Sequence, residues 1–192
     1  GDESSADSPF KRDYFTIAVG GGNTVKFEYK ALLKNHLDDI NWLDHVRFFF
    51  LEESCQEENW GSAREALEST FIRPLAKALI AARGKDVVTE RLGLLRSASG
   101  RAIAQRIVEL MTFPIDMSGV ESALEGGDRE LALRRAKREA QRYQVVILEH
   151  LGPTMSFHMI ITGISRDGGI GAFATYTAKL KEKKPAVISL EK

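Results

Sequence analysis

The chain has 192 residues, of which 43% are hydrophobic and 28% are charged, and its formal net charge at pH 7 is zero. This length and apolar content suffice for one domain with its own core. A single cysteine, Cys55, excludes an internal disulfide and a cysteine-based zinc site. It favours a reducing intracellular compartment, cytoplasmic or mitochondrial. No apolar run has the length of a membrane span, so we expect no membrane contact.

Charge is distributed unevenly along the chain. Residues 1–70 contain 7 basic and 14 acidic side chains, whereas residues 71–192 contain 20 basic and 13 acidic ones. A basic half can indicate a surface for RNA or for an acidic partner. Solvated helix faces explain the pattern more simply, because no aromatic side chains are interleaved with the basic ones to stack bases. RNA contact through the basic helices is therefore the weaker alternative.

The first 13 residues are polar and acidic, unlike a signal peptide. We interpret residues 1–13 as a flexible leader or as the cut end of a longer chain. Residues 14–192 are interpreted as one α/β domain.

The first predicted strand leads into a glycine loop. Residues 14–19 are aromatic and β-branched, and three glycines follow at residues 20–22. The amphipathic pattern from Val25 to about residue 35 predicts a helix. Exposed N–H groups and the helix dipole favour an anion at such a helix start, although a plain tight connection has the same pattern. The candidate phosphate-binding residues are Gly21, Gly22, Asn23 and Thr24.

A second predicted strand, residues 45–51, is followed directly by two carboxylates. Glu52 and Glu53 stand where an α/β sheet delivers side chains to a site, and carboxylates there are candidates for acid or base catalysis. A solvated acidic loop continuing through Glu58 is the simpler interpretation. Asn59 is a candidate N-cap for a helix that runs to about residue 82.

The rest of the chain reads mainly as helix. Residues 84–111 are helical but interrupted by glycines, and residues 112–116 are extended because of Pro114. Residues 128–151 predict a long helix that Gly152 ends, with an ion pair between Glu130 and Arg134. An apolar, strand-like run at 157–164 then leads into the turn 165–169, which has the form of an active-site loop.

Five blocks, in this order, carry a family resemblance. Residues 19–25 are similar to a phosphate-binding Gly-Gly-Ser-Thr-Pro loop, and residues 48–55 to a strand that leads into Gly-Asp-Glu-Arg. Residues 58–67 follow a Ser-Asn-Tyr-x-x-Ala-Arg-Glu pattern. Residues 113–116 continue the match, and residues 157–168 resemble Leu-Gly-x-Gly-x-Asp-Gly-His. Together the blocks resemble the 6-phosphogluconolactonase and glucosamine-6-phosphate isomerase (deaminase) superfamily.

The resemblance covers about residues 14–175 and implies an α/β fold. This is a three-layer, modified Rossmann-like sandwich with a mainly parallel sheet and helices on both faces. It also implies a helical insertion at about residues 71–111. The family-motif residues are Glu53, Asn59, Arg64 and Gly168.

Departures from the family pattern fall on its functional positions. Gly169 takes the place of the catalytic histidine, which removes the group that would transfer a proton near neutral pH. Ser54 takes the place of a phosphate-binding arginine, and a hydroxyl cannot make the same bidentate, charge-assisted contact. Glu52 replaces an aspartate. Asp167 and Glu52 are then the carboxylates left to activate water.

We therefore expect a catalytically impaired lactonase-like domain, a pseudoenzyme that serves as a structural or interaction module of a larger protein or complex. The long basic helix and the insertion are the expected contact surfaces for protein partners. The alternatives are an active lactonase of the pentose phosphate pathway, with Glu52 or Asp167 as the base, and a sugar-phosphate binder without turnover. We expect no cofactor and no metal, because the four histidines lack ligand spacing.

Overall fold

The computed structural model describes residues 13–21, 23–34, 39–53 and 62–163. Residues 1–12 of the predicted leader lie outside this part. The elements in chain order are β1 (Phe15–Val19), α1 (Asn23–Lys34), α2 (Trp42–His45), β2 (Val46–Phe50), α3 (Ala63–Leu67), a π-helical turn (Glu68–Ile72), α4 (Arg73–Arg83), α5 (Lys85–Arg91), α6 (Gly100–Met111), β3 (Thr112–Phe113), α7 (Ser118–Glu125), α8 (Arg129–Leu151) and β4 (Met159–Ile161).

The four described strands form one parallel sheet in the order β3-β2-β1-β4. Ile17 of β1 is in register with Phe48 of β2 and with Met159 of β4. Parallel strands need helical crossovers, and a parallel sheet is normally covered on both faces. The predicted class, an α/β Rossmann-like three-layer sandwich, is therefore confirmed.

Two consecutive phenylalanines in β2 identify the layers on either side of the sheet. The Phe48 ring meets the Phe71 ring of the π-helical turn edge-on, with centroids 5.2 Å apart. The Phe49 ring stacks on Phe113 at 4.7 Å and also contacts Phe157. Successive strand residues point to opposite faces, so the helices that follow β2 cover one face and α8 covers the other.

The segment predicted as an insertion, residues 71–111, is a layer of the core. Phe71, Leu79, Ile103 and Ile107 are fully buried in the same cluster as the inward-facing strand residues. Only the outer side of this segment is open to solvent. Its helical content was predicted correctly.

Two of the three glycines predicted to interrupt this segment do so, whereas Gly100 is the first residue of α6. Gly84 (φ +83°) separates α4 from α5, and Gly93 (φ +65°) follows the end of α5. Positive φ values are readily adopted only by glycine, so helices end at these positions.

The helix predicted to run from Asn59 to about residue 82 begins later than expected, at Ala63. Ser62 caps α3, because its Oγ accepts the Glu65 N–H at 3.1 Å, while Asn59 lies outside the described residues. Three elements were not predicted: α2, α7 and the π-helical turn. At the start of α7 the Asp116 carboxylate accepts hydrogen bonds from the backbone N–H and the hydroxyl of Ser118, the first residue of this helix.

The long helix α8 matches its prediction closely. The Asp128 side chain caps it by accepting the Leu131 N–H at 2.8 Å, and Glu130 pairs with Arg134 at 2.9 Å. Gly152 ends the helix with φ +72°. The described helices include none with the length and apolar character that a membrane crossing requires.

Tyr143 of α8 joins two strands where their backbone ladder stops. Its hydroxyl accepts the Phe50 N–H at 2.6 Å and donates to the Phe113 carbonyl at 3.0 Å. The residue after Phe113 is Pro114, which has no N–H. It therefore cannot extend the hydrogen bonding beyond the two-residue strand β3. The tyrosine hydroxyl therefore continues the hydrogen bonding between β2 and β3. Burial raises the pKa of Tyr143, which keeps this group a neutral donor.

We predict opposite effects for two buried tyrosines. Tyr143→Phe leaves the Phe50 N–H and the Phe113 carbonyl short of a partner and should lower the free energy of unfolding by about 1–3 kcal/mol. The Tyr29 hydroxyl is fully buried and has no hydrogen-bond partner among the described residues. Tyr29→Phe should therefore leave stability unchanged or raise it by up to about 1 kcal/mol.

Urea denaturation measures the free energy of unfolding of both tyrosine variants, and an unchanged m-value shows that only stability has changed. Equal losses for the two would contradict the assigned role of Tyr143.

His150, in the last turn of α8, contacts aromatic side chains of the sheet layer. His150 Nδ1 shares a 3.0 Å hydrogen bond with the Tyr14 hydroxyl, and its ring lies 4.0 Å from the Phe113 ring centroid. Partial burial lowers the pKa of His150, the positive charge of Arg47 adds to the effect, and Glu149 opposes it. The folded state therefore favours the neutral imidazole.

We predict that this histidine destabilises the fold in acid. Since the pKa of His150 is lower in the folded chain than in the unfolded one, its contribution is complete above about pH 6.5 and is lost as the pH falls through the folded value. His150→Gln should flatten the dependence of unfolding free energy on pH between 7 and 5. His45→Gln, at an exposed position in α2, is the control. An unchanged slope in His150→Gln would refute the assignment.

Candidate functional site

Open α/β sheets have a crevice where their strand order reverses, and we use this name for the region at the carboxyl ends of β1 and β4. Crossovers from β1 to β2 to β3 proceed in one direction, and the next crossover returns to place β4 on the other side of β1. Ligands of open α/β sheets bind at the carboxyl ends of the strands where this reversal occurs. The residues that follow β1 and β4 at this point are Gly20, Gly21 and Thr162.

The Glu52 carboxylate lies in this crevice. Its Oε1 accepts the Gly21 N–H at 2.8 Å, two residues before α1 begins. A Cβ atom on Gly20 would lie 3.2 Å from the same Oε1 and 3.1 Å from Thr162 Oγ1. Glycine at residue 20 therefore allows the close approach. The negative charge at the start of a helix is stabilised by the helix dipole.

The neighbouring carboxylate serves the next helix. Glu53 Oε2 accepts the Arg64 N–H at 3.2 Å in the first turn of α3, next to the capping hydroxyl of Ser62. The first N–H groups of a helix have no partner within the helix, so these contacts satisfy donors that would otherwise be left open. The two carboxylates that follow β2 thus bind the starts of two different helices.

The described structure brings together part of the predicted site. Gly21 meets Glu52, and Glu53 meets Arg64. Asn23 and Thr24 form the first turn of α1. The predicted residues outside the described part of the chain are Gly22, Ser54, Asn59, Asp167, Gly168 and Gly169.

Two arginines beyond the end of β3 form ion pairs with glutamates. Among the described residues, no lysine or arginine forms an ion pair with Glu52. Arg64 and Arg142 line a cavity of about 450 Å³ beyond the end of β3. Arg64 Nε binds Glu68 at 2.8 Å, and Arg142 binds Glu139 through Nε at 2.7 Å and Nη2 at 2.5 Å. Each guanidinium therefore shares its charge with a neighbouring glutamate.

Glu139 and Arg142 were not predicted from the sequence. Glu139 is 8% exposed, and its Oε1 also accepts the Asp116 N–H at 2.7 Å. The pKa of Asp116 is lowered, chiefly by its hydrogen bonds from Ser118. Glu139 and Arg142 occur in a helix rich in charged side chains, where no local signal distinguishes a buried glutamate from solvated ones.

The chain matches no family model, no curated protein and no solved structure. The superfamily resemblance therefore rests on the sequence blocks.

We predict that the Glu52 contact contributes to stability. Glu52→Ala removes the acceptor for the Gly21 N–H and a charge that the α1 dipole favours, and should lower the free energy of unfolding by about 1 kcal/mol. Glu52→Gln retains an acceptor oxygen and should lose less than half as much. Chemical denaturation distinguishes the two variants, and equal stability of Glu52→Ala and the wild type would refute the contact.

Proposed function

We propose that this chain is a 6-phosphogluconolactonase-like domain without lactonase chemistry, which serves as an interaction module in a larger protein or assembly. The observation that carries the proposal is the hydrogen bond from the Gly21 N–H to Glu52. A carboxylate of the protein itself occupies the position at the start of α1 where a phosphate oxygen would bind.

Repulsion between Glu52 and a phosphate group also supports the proposal. A sugar phosphate that enters the crevice meets the negative charge of Glu52 at close range, and like charges in a partly buried site repel strongly. No described cation pairs with Glu52 to offset the repulsion. Glu52 would have to leave its contact before the Gly21 N–H became available.

Proton transfer is disfavoured on separate grounds. The family resemblance puts Gly169 where the catalytic histidine stands, and loss of a general acid–base group costs roughly 10²–10⁴ in rate. A carboxylate that accepts a backbone N–H is also held in place as a structural group. Glu52 is therefore a poor replacement base, although an active lactonase that uses Glu52 or Asp167 remains the competing function.

A turnover assay tests the absence of chemistry. The purified wild-type chain should not hydrolyse 6-phosphoglucono-lactone above the spontaneous rate, followed by coupled oxidation of the product. Enzymatic turnover that disappears in Asp167→Ala or Glu52→Ala would overturn the proposal in favour of an active lactonase.

A binding experiment tests the occupied crevice directly. We predict that Glu52→Ala binds 6-phosphogluconate at least about tenfold more tightly than the wild type, because the Gly21 N–H is released and the repulsion is removed. Glu53→Ala is the matched control, since that carboxylate binds the start of α3 instead. Isothermal titration calorimetry gives both affinities.

The outcomes of this titration separate the alternatives. A wild-type dissociation constant below about 1 mM for 6-phosphogluconate, without turnover, would favour a sugar-phosphate binder. Equal affinities for Glu52→Ala and Glu53→Ala would show that Glu52 does not block the crevice.

A further inference from the structure

The outer side of α4, α5, α6 and the connection between α5 and α6 carries an excess of positive charge. Residues 73–106 contain eight basic and two acidic side chains, a net charge of +6. All eight basic residues are exposed. We call this the basic surface; its cations are Arg73, Lys77, Arg83, Lys85, Arg91, Arg96, Arg101 and Arg106.

Most of this charge is not compensated within the described structure. Three of the eight cations pair with carboxylates: Arg91 with Asp44, Arg96 with Asp86 at 3.6 Å, and Arg106 with Glu109 at 3.1 Å. The described residues offer the other five no carboxylate within ion-pair distance. A charge density of this kind attracts a partner of opposite sign.

An apolar side chain projects from the same surface. Leu95 is 79% exposed, whereas Leu92 and Leu94 on either side of Gly93 pack against the core and fix the connection. Val87 of α5 is 51% exposed. The ion pair between Arg96 and Asp86 brings the residue after Leu95 next to the residue before Val87. Two exposed apolar side chains are thus held close to a rim of arginine and lysine.

The chemistry of the basic surface favours a protein over a nucleic acid. Residues 73–106 contain no phenylalanine, tyrosine or tryptophan on which a base could stack. Six of the eight cations are arginine, which is enriched at protein interfaces, and an apolar anchor inside a polar rim is the usual arrangement of such an interface.

We infer that the basic surface binds an acidic, amphipathic peptide segment of a partner protein, with Leu95 as its apolar anchor. This inference rests on the proposed function as an interaction module, and it names the surface and the chemistry of the partner. Carboxylates of the segment would pair with the uncompensated cations, and its apolar face would cover Leu95 and Val87.

The test uses synthetic probes and the full chain. A fluorescein-labelled 20-residue peptide with a glutamate face and a leucine face is titrated by fluorescence anisotropy at 50 and 200 mM NaCl. A scrambled peptide of the same composition and a single-stranded 20-nucleotide RNA are the comparison probes. The amphipathic peptide should bind at least about tenfold more tightly than the scrambled one, and its affinity should fall at the higher salt concentration.

Two variants of the chain locate the binding. Leu95→Ala should weaken binding of the amphipathic peptide at least about fivefold. The double variant Arg83→Glu with Arg101→Glu should weaken it at least about tenfold. The matched control, Lys137→Glu with Arg138→Glu, makes the same charge change at exposed positions of α8 and should change affinity less than twofold. Circular dichroism and thermal melts check that every variant is folded.

Several results would overturn the inference. The first two are tighter binding of the RNA than of the amphipathic peptide, and an equal loss of affinity in the α8 control and in Arg83→Glu with Arg101→Glu. The others are equal affinity for the scrambled and the amphipathic peptide, or no binding of the amphipathic peptide. Lactone turnover by the wild type would refute the proposed function without altering any of these affinities, so the two failures are distinguishable.

Discussion

The contact between the Glu52 carboxylate and the Gly21 N–H is the constraint on which the carboxyl edge of the sheet depends. It connects the end of β2 to the start of α1, next to the point where the strand order reverses between β1 and β4. A side chain at residue 20 would crowd this contact, because its Cβ would lie 3.2 Å from Glu52 Oε1 and 3.1 Å from Thr162 Oγ1. A charge that a ligand could have supplied is therefore built into the protein.

The second carboxylate extends the same principle. Glu53 binds the first turn of α3, so both acidic residues after β2 satisfy helix N–H groups that lack partners within the helix. Groups held in this way stabilise a fold but are less available for chemistry. The proposed loss of catalysis agrees with this use, because stability and catalysis make opposing demands on one pair of side chains.

The sequence predicted the fold well where local signals were strong. The strands β1 and β2 were identified from aromatic and β-branched runs, α1 from an amphipathic pattern, and α8 from helix propensity and the glycine that ends it. The edge of the sheet was also predicted from the positions of glycines and carboxylates. Residues 145–148 have strand propensity, yet they belong to α8, as the predicted helix 128–151 required, because no turn signal interrupts it.

What the sequence did not predict depends on contacts between distant residues. The hydroxyl of Tyr143 bridges Phe50 and Phe113, and the buried Glu139 binds Arg142 and the backbone of Asp116. Nothing local marks a tyrosine or glutamate in a charged helix as a structural bridge. The partner of Glu52 was equally hidden, since an acidic residue after a strand has the same pattern whether it activates water or binds a helix.

This ambiguity has a physical resolution in the position of positive charge. A phosphate site at a helix start needs open N–H groups and commonly a cation that neutralises the ligand. At the described edge the Gly21 N–H is occupied, and the guanidinium groups of Arg64 and Arg142 are bound to Glu68 and Glu139. The proposal therefore predicts that a phosphate binds strongly only after the N–H is released and a cation is brought next to it. Five cations that have no ion pair among the described residues lie instead on the outer side of α4, α5 and α6, where a partner that docks from outside can reach them.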